Sequence, residues 1–140
     1  MRQDQHLKNS RAQMILFLGD LVVIVAVTLA GFATHNTLGT AGSRILTTFL
    51  PLLLAWGLLG FHGRVFDLDQ ARRLGQVWRP FFTMVLAAPV FGLLRAWMLG
   101  VDSISATFLV VIGGISAISM LAWRILFMLA QRGKSAGQNG

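Results

Sequence analysis

Residues 14–33 read MILFLGDLVVIVAVTLAGFA, 20 positions carrying a single charge, Asp20. A helix of that length rises about 30 Å, the thickness of a bilayer's hydrocarbon core. An unpaired charge at the centre of such a helix costs about 2.5–3.5 kcal/mol on insertion scales. The rest of the chain is therefore read as what must surround Asp20.

Of the 140 residues, 55% are apolar and only 12% charged. Soluble domains carry about a quarter charged residues, so this chain lacks the polar side chain to cover a water-facing surface. The net charge of +7 does not point to nucleic acid. Its bases lie in short segments between apolar runs, and no basic helix face or recognition motif is present. Cysteine is absent, which excludes disulfides, thiol chemistry and cysteine-based metal sites. The first run is read as an uncleaved span, because it exceeds the about 7–15 apolar residues of a signal peptide and carries Asp20.

Three more apolar runs follow at 44–60, 77–99 and 106–130. The fold class is all-α, a polytopic membrane protein with a four-transmembrane-helix bundle over 14–130. Residues 1–13 are polar and basic and read as a cytoplasmic tail. Residues 131–140, rich in Gly, Ser and Asn, read as a disordered tail. Pro51 falls inside the second span, where it is tolerated because neighbours can satisfy the carbonyl it frees, and a modest kink near Thr47–Pro51 is expected. Pro80 falls in the first turn of the third, and Pro89 inside it. At 100° per residue, Gly19, Ala26, Ala30 and Ala33 share one face of the first span, with Asp20 at its flank. Ala106, Gly113, Ala117 and Arg124 share a face of the fourth. Small residues let helices approach closely, so these two faces are expected to meet.

Nine of the 12 Lys and Arg lie in 1–13, 61–79 and 131–140, whereas Arg44 alone borders either of the other two connections. The positive-inside rule then predicts both termini cytoplasmic. Asp20 stands six residues inside the first span, and Arg124 six residues before the end of the fourth. Both come to ~9 Å beneath the inner boundary, and a buried charge pair is expected. Arg95, near the outer end of its span, is expected in an outer polar cluster with His35, Asn36 and Asp102. His62 and Arg64 mark the inner interface.

No catalytic constellation is visible, and no enzyme activity, metal or cofactor is expected. His35 and His62 fall on opposite sides of the membrane and cannot share a metal. Ser103, Ser105, Ser116 and Ser119 have no nearby base. Ser116 and Ser119 are expected to bond back to their helix or across to a neighbour.

Several short motifs occur in order: Gly19-Asp20, Gly31-x-x-x-His35-Asn36, Pro51 with Ala55-Trp56, Trp78-x-Pro80, Gly92-x-x-Arg95-Ala96 and Trp123-Arg124. The set resembles the prokaryotic four-helix membrane family called domain of unknown function 3054, over residues 14–125. Ser105-Ala106-Thr107-Phe108 departs from it, because the resemblance leads one to expect a proline shortly before that aromatic. The resemblance implies four transmembrane helices, no established activity, and importance for Asp20, Arg95 and Arg124.

The expected protein is a multi-pass component of the plasma (inner) membrane. Its buried charges hold helices together, and it works by binding a partner or membrane lipid. A homo-oligomer and membrane lipid are the expected partners; nucleic acid is not. The alternative is a small proton- or cation-coupled transporter or channel that uses Asp20.

Overall fold

A computed structural model describes residues 2–34, 39 and 42–136, with side chains over 7–34, 39 and 42–133. Four long helices cross it: α1 (Arg2–Thr34), α2 (Ser43–His62), α4 (Trp78–Leu99) and α5 (Ala106–Ala136). A short α3 (Leu68–Ala71) and a 3-10 turn (Leu74–Gln76) lie between α2 and α4. No strand occurs among the described residues. All four long helices are long and apolar enough to cross a membrane.

The helices form a closed ring, with α1 against α2, α2 against α4, α4 against α5, and α5 back against α1. Helices consecutive in the chain are neighbours in the ring, and the α5–α1 contact closes it. Ile24, Leu52, Trp56, Met84, Phe91 and Met120 meet in the central core. Only 28–39% of each span's most apolar window is buried within the bundle. The outward residues are themselves apolar, among them Val22, Leu54, Leu93, Val110 and Leu126. A surface of that kind is stable against lipid chains and unstable against water. The protein is an integral, multi-pass membrane protein.

Two of the expected boundaries change. Residues 2–13 are not a separate tail but the first turns of α1. Once a helix is nucleated, each further residue adds a hydrogen bond at little cost. Tertiary contacts add to this, because Ala12 and Leu16 pack with Phe127 beneath Leu68 and Ala71. At the other terminus α5 runs on through 131–136 instead of ending at residue 130, and residues 137–140 lie outside the described part. The fourth span starts at Ala106 as expected, despite the absent proline. Its first turn is closed by the Leu109 N–H donating to the Ser105 carbonyl at 3.1 Å.

The small-residue faces do not meet. Ala26, Ala30 and Ala33 are exposed on the outside of α1. The buried row is Ala12, Leu16, Asp20, Ile24, Val27 and Thr28, so Asp20 stands in the middle of the inward face, not at its flank. Gly113 approaches α4 rather than α1: a Cβ there would lie 2.6 Å from that of Ala88.

Helix α2 ends in a Schellman motif. The Val65 N–H reaches the Gly60 carbonyl at 3.1 Å and the Arg64 N–H the Phe61 carbonyl at 3.2 Å. Arg64 occupies the left-handed position, φ 51°, where glycine is usual. The turn drives Val65 into the core and starts the connection that closes this end of the ring. Phe66 stacks on Phe17 of α1 at 4.8 Å and meets Trp56 of α2 edge-on at 5.9 Å.

Candidate functional site

Asp20 and Arg124 are brought together. Arg124 Nη2 donates to Asp20 Oδ2 at 2.7 Å, and each residue is only 2% exposed. Two indoles complete the arrangement. Trp56 Nε1 donates to Oδ2 at 3.3 Å and Trp123 Nε1 to Oδ1 at 3.0 Å. The carboxylate therefore accepts from α2 and twice from α5, and α1, α2 and α5 are tied through one group. An ionised carboxylate offers about four acceptor sites and no donor, so three convergent N–H groups suit its charged form.

Sequence reasoning found the ion pair but missed both indoles. Trp56 and Trp123 counted only as apolar bulk and as family markers. A signal was present nonetheless: an indole buried away from water needs an acceptor for its one N–H, and Asp20 is the acidic residue inside the spans. Gly19 belongs to the same device. A Cβ on it would lie 1.8 Å from Trp123 Cζ2, so the absence of a side chain is what lets the indole lie across α1 beside its acceptor.

Arg95 is placed differently from expectation. It reaches sideways to α2, where its Nη1 donates to the Thr47 carbonyl at 3.2 Å and to Thr48 Oγ1. Its guanidinium also lies 5.2 Å over the Phe108 ring. The Thr47 carbonyl is the one that Pro51, lacking an N–H four residues on, leaves without its helical partner. Arg95 thus supplies the missing donor from the neighbouring helix. Asp102 is exposed and forms no ion pair with Arg95 among the described residues. His35 and Asn36 lie outside the described residues.

His62 is exposed at the end of α2, with its Nδ1 2.9 Å from the Leu58 carbonyl, a bond that caps its own helix. Arg64 is exposed beside it. Ser116 does not bond to its helix or a neighbour: its Oγ is buried without a partner among the described residues.

No curated protein and no solved structure matches this chain. A family model described as "Protein of unknown function (DUF3054)" matches residues 17–127, a stretch that contains Asp20, Trp56, Arg95, Trp123 and Arg124. The ordered motifs, the four spans and that match together place the chain in the DUF3054 family of proteins of unknown function.

Proposed function

We propose that the Asp20–Arg124 pair is structural and that the protein is a non-catalytic membrane component that works by binding membrane lipid. The observation that carries this reading is the enclosure of Asp20 by three donors. Both carboxylate oxygens already accept hydrogen bonds, one of them from a guanidinium at 2.7 Å. A transported cation would have to displace Arg124, and a shuttled proton would need a water path to a residue 2% exposed. Breaking a buried pair leaves an uncompensated charge, which costs about 3–5 kcal/mol. A group held that firmly braces helices better than it cycles.

The test is ion flux in proteoliposomes. Because Asp20→Asn alone strands Arg124, the comparison uses the Asp20→Asn/Arg124→Gln double variant beside the unaltered protein. Proton and potassium flux through both is expected to equal that of protein-free vesicles. Flux present in the unaltered protein and absent in the double variant would instead make Asp20 a transport site.

The orientation belongs to the same proposal: both termini and the 63–77 connection face the cytoplasm of a prokaryotic cell, and the membrane is its plasma (inner) membrane. The distribution of Lys and Arg supports it. A reporter active only outside the cytoplasm, fused at 100–103, is expected to be active; the same reporter in 63–77 is expected to be silent. The opposite pattern would invert the topology.

A further inference from the structure

Three buried polar atoms where the α2–α4 connection meets α5 have no partner among the described residues: Gln76 Oε1, Arg79 Nε and Arg124 Nε. Gln76 ends the 3-10 turn, Arg79 stands in the first turn of α4, and Arg124 belongs to α5. All three residues line one small cleft, with Val65 and Pro80 among its apolar walls. The room inside it is about that of one water molecule. Each of the three atoms is shut off from bulk solvent, so bulk solvent does not supply the partner. Buried polar groups are nearly always paired, either within the protein or with ordered water.

The chemistry of the three atoms selects the occupant. Each guanidinium Nε brings one N–H donor, and the amide Oε1 is an acceptor. A single small body must therefore accept twice and donate at least once. A halide ion accepts from both N–H groups but sets negative charge against the amide oxygen. A metal cation suits the amide oxygen and is repelled by both guanidinium groups. Water accepts two bonds and donates two, and a buried water typically makes about three.

We infer that this cleft holds one ordered water, which accepts from Arg79 Nε and Arg124 Nε and donates to Gln76 Oε1. The inference rests on the structural reading of the Asp20–Arg124 pair and extends it. Asp20 ties α1, α2 and α5 through its three donors. The water carries that network on to α4 and the turn before it, through the Nε edge of Arg124. The Arg79 Cζ lies 5.7 Å over the ring of the exposed Trp78, so the bridge ends where tryptophans meet lipid headgroups. Asp20 is not among the described residues that line the cleft. The water thus hydrates the arginine without opening a path to the acid.

Arginine side-chain NMR of the full chain in detergent tests this. With ¹⁵N-labelled arginine, the Nε–H signals of Arg79 and Arg124 are examined for cross-relaxation with water. Laboratory-frame and rotating-frame experiments together separate a long-lived contact from exchange with bulk. Both signals are expected to show the long-lived contact, in chloride-containing and chloride-free buffer alike. Gln76→Leu removes the acceptor and leaves both arginines in place, so the contact at Arg124 is expected to weaken severalfold. The measurement on the unaltered chain decides the matter if Gln76→Leu folds poorly. Exchange with bulk alone, no water contact at either signal, or contact untouched by Gln76→Leu would overturn the inference. Contact seen only when chloride is withheld would also overturn it, by making the cleft a halide site. Asp20-dependent flux with the water contact intact would overturn the structural reading of Asp20 and leave the water standing. Absent flux with absent contact would do the reverse.

Discussion

Arg124 and Arg95 place the same guanidinium at opposite ends of the bundle and satisfy it by different means. Arg124, 2% exposed, meets a carboxylate on another helix. Arg95, half-buried, meets a backbone carbonyl, a hydroxyl and a ring face, all uncharged. Depth explains the difference. Helix α4 ends at Leu99, one turn beyond Arg95, so its charge remains close to the interface and neutral acceptors suffice. Arg124 lies inside the ring under the 63–77 connection, where only a counter-charge offsets its desolvation. The two ends also close their helices differently. Gly100 takes the left-handed position after α4, φ 64°, whereas Arg64 takes it after α2.

The comparison is broken most directly at the charges. Asp20→Asn or Arg124→Gln alone is expected to cost about 3–5 kcal/mol, read as lost folded yield and a lowered Tm in detergent. Arg95→Gln is expected to cost only about 1–2 kcal/mol, because no opposite charge is stranded. The double variant Asp20→Asn/Arg124→Gln recovers a good part of the larger loss. Equal losses at Arg95 and Arg124, or additive losses at Asp20 and Arg124, would erase the distinction.

Gly19→Ala sharpens it without touching a charge. The added methyl must push Trp123 off α1 and away from Asp20 Oδ1, so the expected cost is about 1–3 kcal/mol. Trp123 fluorescence should shift to the red as the indole loses its site. A Tm unchanged by Gly19→Ala would mean that the ion pair stands without its indole.

The smallest effect is at the Arg95 end of the bundle. Pro51→Ala restores the N–H that the Thr47 carbonyl lacks, so Arg95 loses one of its tasks. Arg95→Leu should therefore cost less in the Pro51→Ala background, with a coupling of about 0.5–1.5 kcal/mol in a double-mutant cycle. Zero coupling would separate Arg95 from the proline.

Four spans were legible because hydropathy over 20 residues needs no knowledge of packing. The Asp20–Arg124 pair was legible because both stand at equal distances from the same boundary. The facing of α1 was not. Leu16, Ile24 and Val27 look inward and Leu18, Val22 and Leu29 outward, yet composition does not distinguish them. A helix that is apolar all round carries no moment to read. The small alanines suggested an interface, but the inward side of α1 is set by where Asp20 must point. For Arg95 the sequence showed an orphaned carbonyl and a donor, and only the adjacency of α2 and α4 joins them.

The ion pair spans 104 positions of chain, and this bears on how the protein is made. A chain synthesised from its N-terminus presents Asp20 to the membrane long before Trp123 and Arg124 exist. The nearest of its final donors, Trp56, comes 36 positions later, and the guanidinium arrives only with the last helix. During biogenesis α1 is thus an incomplete membrane segment carrying an unmet acid, and entry of α5 is the event that completes it. A chain truncated before α5 would retain three apolar spans and still present a degradable, unfinished bundle to the cell's quality control.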